Sequence, residues 1–306
     1  EDFLPAAIER SSYEGVCYAL PFEINTMALY YNIDMLRENG FDQPPRTMEE
    51  LKHMAKELTR TDENGEIIRM GFLPDYPWLD NVLWPILFGA EFYDPVKKEV
   101  TTTSPDYIRA IEFQNWFYKE WGWNNISKFK LKFGSYEQDP FYSGKLAMVM
   151  GGEWVPVQVR KYAPEMNLGV CPFPYPDDNP SLQNTSMITT SVFYIPENAE
   201  HKEFAWEFMK YLVSKESMIS YTAVNSVLMA RKSVLEDDII KNNPDLKLVR
   251  EYALDKNIRG FPPLPIADEY LKSLSEQTQM VFKQLKTPHE AMMDVKKEID
   301  PLLSGK

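Results

Sequence analysis

Short apolar runs alternate along this chain with segments whose apolar positions recur at helical spacing. Val16-Cys17-Tyr18-Ala19-Leu20 and Ala28-Leu29-Tyr30-Tyr31 are dense in apolar and aromatic residues and predict strands. Leu146 to Met150 predicts a buried strand, ending at Gly151 and Gly152, which let a backbone turn sharply or approach a ligand closely. Ser191 to Ile195, ended by Pro196, predicts another. Helices fill the intervals. Thr47-Met48-Glu49-Glu50 has the order of a capping box and opens a helix to about Thr59. Ser104-Pro105 starts one that runs to about Trp121. Ala205, Phe208, Met209 and Leu212 stand at i, i+3, i+4 and i+7, one core-facing stripe. The tail predicts helices at about 232–241, 245–256, 268–285 and 288–303, the last opened by a second capping box, Thr287-Pro288-His289-Glu290. Mixed strands and helices of this kind predict α/β layers. Neither an internal repeat nor a low-complexity linker interrupts them.

Composition narrows the function more than the fold. The 306 residues suffice for one large or two ordinary domains, and the 44% hydrophobic and 26% charged fractions are those of a globular protein. A net charge of −13 argues against a nucleic-acid footprint and against docking to anionic lipid. No apolar run approaches membrane-spanning length, and Glu1-Asp2-Phe3-Leu4-Pro5 does not read as a leader. Cys17 and Cys171 are the only cysteines, and the sequence leaves open whether they pair. His53, His201 and His289 lie far apart without metal-ligand spacing, and Asp62-Glu63-Asn64-Gly65 reads as a turn, since the remaining calcium-loop positions do not follow. No metal and no cofactor are expected.

Candidate chemistry gathers where rings meet short polar groups. Directly after the paired glycines stand a carboxylate, Glu153, and an indole, Trp154. An indole face covers the C–H face of a pyranose while a carboxylate accepts its hydroxyls, so this pairing suits a sugar cleft. Taken alone, a tryptophan after a strand is more often core than ligand platform. Asp75-Tyr76-Pro77-Trp78-Leu79-Asp80-Asn81-Val82-Leu83-Trp84 alternates rings with polar groups, and Tyr175 sits in a proline-stiffened loop, Pro172-Phe173-Pro174-Tyr175-Pro176. Trp116, sharing a helical face with Ile108 and Ile111, reads as core.

Four segments, in order over nearly the whole chain, resemble the carbohydrate-binding proteins of ABC importers, extracellular solute-binding protein family 1, which includes the maltose- and oligosaccharide-binding proteins. Tyr13 to Phe22 followed by Leu29-Tyr30-Tyr31-Asn32-Ile33-Asp34 is similar to the family's crossing strand and its tyrosine-asparagine-x-aspartate signature. Pro44-Pro45-Arg46-Thr47-Met48-Glu49-Glu50-Leu51 resembles its proline, threonine, tryptophan, glutamate pattern, with Met48 in place of the usual tryptophan. Gly144 to Trp154 is the third, and Asn198 to Phe208, like the family's late helix, the fourth.

The resemblance implies a two-lobed α/β, periplasmic-binding-protein-like fold of type II, closing on a sugar like a hinge. It implies a complete C-terminal lobe at about 24–191 and 245–306, and a remnant of the N-terminal lobe with the hinge crossings at 1–20 and 193–240. The first βα units of that lobe precede the matched region in family members. Without them the remnant would expose apolar edges, and the strand from Thr190 to Ile195 is left without an evident partner. By position, Trp154 matches the stacking tryptophan and Glu23 a ligand-facing acid. Asp80, Asn81, Trp84 and Trp78 fall in a cleft-lining segment, and Asp268 and Tyr270 in a looser match at a late helix start. Glu153, Tyr175, Asn25 and Arg231 join them by chemistry and proximity, although Arg231 suits a structural ion pair equally well. The implied partners are a carbohydrate, with oligosaccharide favoured by the many rings, and the membrane permease subunits of an importer. The implied state is a monomer outside the cytoplasm, periplasmic or a cell-surface lipoprotein. An enzymatic alternative stays open on the residues alone, because Glu23, Asp80 and Glu153 could supply the paired carboxylates of a glycosidase.

Overall fold

The apolar runs assemble into two mixed sheets. The computed structural model describes residues 1–76 and 80–303, without the side chain of Asp80. Its principal strands are β1 (Leu20–Thr26), β2 (Ala28–Asn32), β3 (Arg60–Thr61), β4 (Ile67–Phe72), β5 (Leu146–Gly151), β6 (Leu168–Cys171), β7 (Ser186–Phe193), β8 (Leu228–Met229) and β9 (Ile258–Arg259). The main helices are α1 (Pro5–Arg10), α2 (Met48–Leu58), α3 (Asp80–Leu87), α4 (Pro105–Trp121), α5 (Val155–Tyr162), α6 (Lys202–Leu212), α7 (Lys215–Asn225), α8 (Ala267–Phe282) and α9 (Pro288–Leu303). The chain divides into two compact units. The first comprises Glu1–Ala28, Gly152–Trp154 and Ser186–Leu264, the second Leu29–Gly151, Val155–Thr185 and Pro265–Lys306.

The second unit is built on a sheet of order β6-β2-β5-β4-β3. β5 is buried along its whole length, which is why it shows no alternation of apolar and polar residues. It runs parallel to β4, with Met70 opposite Leu146 and Phe72 opposite Met148. α2 starts as the capping box predicts: the Glu50 N–H donates to Thr47 Oγ1 at 3.3 Å, and the Thr47 N–H to Glu50 Oε2 at 3.3 Å. Met48, Leu51, Met54, Ala55 and Leu58 form its buried stripe. α9 is capped in the same way, the Glu290 N–H reaching Thr287 Oγ1 at 3.2 Å and the Thr287 N–H reaching Glu290 Oε2 at 2.9 Å. Aromatic packing completes this core. Tyr118 stacks on Phe282 at 4.2 Å between ring centres, and Trp84 lies 4.7 Å from Phe113.

The first unit holds a sheet of order β8-β1-β7-β9, and here the sequence expectations shift. Of the run predicted as a strand from Val16 to Leu20, Val16–Cys17 pairs only with Ser12–Tyr13, and Tyr18 is 66% exposed. The long strand begins at Leu20 instead, because Phe22-Glu23-Ile24-Asn25-Thr26 carries the period-two alternation of a half-buried strand. The strand expected from Ser191 starts earlier, at Ser186, and it does have partners. β7 pairs antiparallel with β1 and parallel with β9. The stripe on α6 is buried only at Met209: Phe208 is 60% exposed and Phe204 76%. The helix expected at 232–241 breaks in two, Lys232–Leu235 and Asp238–Lys241. The Asp237 side chain accepts the Ile239 N–H and so starts a new turn. Cys17 is exposed, Cys171 is buried, and both are free thiols. Among the described residues no helix is long and apolar enough to cross a membrane.

Candidate functional site

The turn from β5 into α5 is shaped by contacts that leave no room for a side chain. A Cβ on Gly151 would lie 2.4 Å from Val155 Cγ2, and one on Gly152 only 2.3 Å from Trp154 Cζ3. Neither glycine has a positive φ, so the pair serves close approach and not a left-handed bend. The Trp154 indole therefore rests against the Gly152 backbone and stays partly exposed. A residue just past the carboxyl end of a buried strand of a parallel pair stands where open α/β sheets place ligands.

Glu153 occupies the same turn and is 1% exposed, with both carboxyl oxygens buried and without a hydrogen-bond partner. Burial pushes its carboxyl up to about 8, and Glu23 adds to the rise. Glu23 lies at an irregularity of β1. Between the pairs Ile24–Thr190 and Pro21–Val192, two residues of β1, Phe22 and Glu23, stand opposite one residue of β7, Ser191. Such a bulge re-aims a side chain relative to regular pairing. Glu23 is half-buried, and burial raises its carboxyl above the usual range. Asn25 follows two residues on, also half-buried and hence on the same strand face. Thr190 on β7 has a buried, unpartnered hydroxyl oxygen, but it pairs with Ile24 and so stands on the other face of the sheet. The first unit thus brings together four predicted residues, Trp154, Glu153, Glu23 and Asn25.

A second polar cluster, on the second unit, joins Tyr76 of the Asp75–Trp84 segment to residues that the sequence did not single out. The Tyr76 hydroxyl donates to the Asp139 carboxylate, and the Tyr142 hydroxyl donates to Gln158 Oε1 on α5. Burial raises Asp139, although the bond from Tyr76 and two backbone N–H groups oppose it. Tyr142 and Tyr136 each flank Tyr162, at 6.0 and 5.6 Å between ring centres. Asp139-Pro140-Phe141-Tyr142 immediately precedes the Gly144 motif, but nothing in its composition sets it apart from an ordinary loop.

The remaining predicted residues go elsewhere. Trp84 is 0% exposed and its indole N–H donates to the Pro74 carbonyl at 2.6 Å, so the ring is core and has no free face for a sugar. Tyr270 is likewise 0% exposed, its hydroxyl donating to the Phe92 carbonyl at 2.9 Å. Arg231 donates to Asp2 Oδ2 at 2.9 Å and to the Val213 carbonyl at 2.5 Å while lying over the Phe3 ring, which makes it a structural clamp. Tyr175 bonds through its backbone to Arg46 and Met48 and lines a cavity of about 180 Å³ with Pro44, Pro45, Cys171 and Phe173. Asn81, near the start of α3, keeps a buried, unpartnered Oδ1, and Asp268 is exposed in the first turn of α8. Asp80 opens α3, but its side chain, like all of Trp78, lies outside the described residues. No group of His, Cys, Asp and Glu among the described residues is arranged to hold a metal ion.

Comparison with known proteins agrees on one family. Residues 1–247 match the family described as bacterial extracellular solute-binding protein. A Brucella abortus (strain 2308) protein, described only as a binding protein, is 24% identical over 309 aligned positions, covering 98% of this chain and 71% of its own length. The maltotriose-binding protein of Pyrococcus abyssi is 25% identical over 258, covering 80% of this chain and 51% of its own. Among solved structures, CpMnBP1 with mannobiose bound superposes with a TM-score of 0.87 at 25% identity, covering 97% of this chain and 75% of that one. The sugar-binding protein MalE of Xanthomonas citri, at 18% identity and a TM-score of 0.78, shares the fold. The α/β fold is therefore that of the periplasmic binding proteins.

Proposed function

Since this chain belongs to the bacterial extracellular solute-binding proteins, which bind solutes outside the cytoplasm and carry out no chemistry on them, we propose that it captures an oligosaccharide and delivers it to the permease of an ABC importer, with cleft closure as the capturing step. The observation that carries this reading is the Gly152–Trp154 turn, where a partly exposed indole and a buried, unpartnered carboxyl stand beside a second acid, Glu23. Trp154 supplies the stacking platform and Glu23 and Asn25 meet hydroxyls, whereas Glu153, with both oxygens closed off, stands behind the turn and touches no ligand. In the second unit, Asp80, Asn81 and Asp268 keep the ligand-facing roles that their matched positions imply. Trp84, Tyr270 and Arg231 drop out of the set. We assign the second unit to the lobe expected at about 24–191 and 245–306, and the first to the lobe expected at 1–20 and 193–240.

Relatives described with mannobiose, mannotriose and maltotriose define the first ligands to try. A thermal-shift screen of the chain against these sugars and their monosaccharides tests the reading, with product analysis on every hit. A ligand at a hundred times its Kd stabilises the native state by about 2.7 kcal/mol. Selective stabilisation by an oligosaccharide, with the sugar recovered intact, is the expected result. A cooperative melt that no saccharide moves would refute it, and recovery of a cleaved sugar would restore the glycosidase alternative.

A further inference from the structure

A groove of about 310 Å³ lies wholly within the second unit and is lined by none of the residues assigned to the sugar. Its walls come from α2, α4 and the loop that carries Tyr175. On α4, Arg109, Glu112, Phe113 and Trp116 stand at i, i+3, i+4 and i+7, so one helix face turns all four into the groove. Trp116, which that spacing assigns to the core, is only partly buried here. The loop is tied to the start of α2. The Met48 N–H donates to the Tyr175 carbonyl at 3.0 Å, and the Glu49 N–H donates to Asp177 Oδ2 at 3.1 Å, which fixes Asp177 at the rim. Beneath lie Met48, Phe88 and Phe113, all buried. An apolar floor under a few fixed polar groups, at a volume where small-molecule pockets begin (about 300 Å³), has the make-up of a ligand site.

Charge decides what such a ligand carries. Four carboxylates, Glu49, Glu112, Asp177 and Asp178, line the groove against two cations, Lys52 and Arg109. Both cations are already engaged. Lys52 Nζ lies 2.5 Å from Glu49 Oε1 and 5.5 Å from the centre of the Trp116 ring. Arg109 Nη2 lies 2.6 Å from Asp178 Oδ1, with the guanidinium over Phe88 at 5.7 Å. Among the described residues, neither Glu112 nor Asp177 has a basic partner. The rings of the groove thus hold cations over their faces, and two of its carboxylates are left without one.

We propose that this groove is a second ligand site, for a small organic cation whose ammonium or guanidinium meets Glu112 and Asp177 while its apolar body lies against Phe113 and Met48. Two uncompensated carboxylates repel an anion, and they give a neutral molecule of the same shape no charge to pair with in return for lost hydration. The site stands apart from the sugar-binding reading: failure of every saccharide to bind leaves it untouched, and its own failure leaves that reading untouched.

A matched series tests the charge class: 3-phenylpropylamine, 3-phenylpropanol and 3-phenylpropionate share one skeleton and carry positive, no and negative charge. Each is titrated into the full, isotopically labelled chain, and the amide and indole N–H shifts are followed by NMR. The expected result is that the amine moves the Trp116 indole and the amides of the α2 start and of residues 177–178. Exposed ion pairs are each worth up to about fivefold in affinity, so the amine binds about tenfold tighter than the alcohol, and the margin closes in high salt. The propionate does not bind. Glu112→Gln, and Asp177→Asn, which keeps an acceptor for the Glu49 N–H, each weaken the amine about threefold and leave the alcohol unchanged. Equal binding of amine and alcohol, amine affinity unmoved in both variants, or groove resonances unmoved by any of the series up to about 10 mM overturns the inference. Mannotriose moving the same resonances would make the groove a saccharide subsite. A Lys-Phe-Lys peptide bound over about tenfold tighter than the amine would make it a docking surface for a basic segment of another protein. Either result overturns the small-cation assignment.

Discussion

Replacing Glu153 with glutamine should stabilise the unliganded protein, and by an amount that depends on pH. The wild-type side chain is 1% exposed and its oxygens have no partner, so the native state holds it protonated up to about pH 8, whereas the unfolded chain releases the proton near the ordinary value of 4.5. Because the folded value is the raised one, the unfolded state binds fewer protons between those limits, and wild-type stability falls as pH climbs from 4.5 towards 8. At about 1.4 kcal/mol per pH unit, the native state is worse off by about 3 kcal/mol at pH 7 than at pH 4.5. Glutamine has nearly the same shape, carries no proton to lose and faces the same lack of partners, so it removes this slope while leaving the packing. The assay is urea unfolding of both proteins at pH 5, 7 and 8.5, followed by circular dichroism. The two should nearly coincide at pH 5 and separate progressively in favour of Glu153→Gln as pH rises. Parallel stability curves, or a separation that shrinks with pH, would mean that Glu153 is ionised and partnered in the native state, and the reasoning would fail.

Three further substitutions separate binding from architecture. Trp154→Ala should weaken oligosaccharide affinity about 10- to 100-fold by titration calorimetry, the worth of one stacked aromatic face, with little change in Tm. Gly152→Ala should weaken it too, because its Cβ would fall 2.3 Å from Trp154 Cζ3 and displace the indole, seen as a shift in tryptophan fluorescence with the fold retained by circular dichroism. Trp84→Ala should cost about 3–5 kcal/mol in urea unfolding, since it empties a fully buried site against Phe72 and Phe113, whereas a Trp84 that mainly touched ligand would leave stability unchanged.

Local chemistry was legible in the sequence wherever neighbours along the chain settle the structure. Thr47 with Glu50 and Thr287 with Glu290 start α2 and α9, because both partners of each capping box lie within one helical turn. Leu146 to Met150 is apolar without interruption and became a strand buried on both faces. The four motifs that point to a sugar-binding lobe were equally visible, and Gly152 beside Trp154 needs only the two residues themselves to explain it. Tertiary structure decided the rest. Whether a ring in the Asp75–Trp84 segment is wall or core depends on Phe72, at the end of the strand before it, and on Phe113, which a helix further along the chain brings in. Tyr270 was lost to the core in the same way, through the carbonyl of Phe92. The register of β1 against β7 placed two residues opposite one at Glu23, a pairing fact that no single strand contains. Burial, too, is a property of the assembled chain. From the sequence Glu153 reads as a carboxylate that accepts sugar hydroxyls, and only the fold, by removing water and bringing Glu23 near, makes it hold its proton.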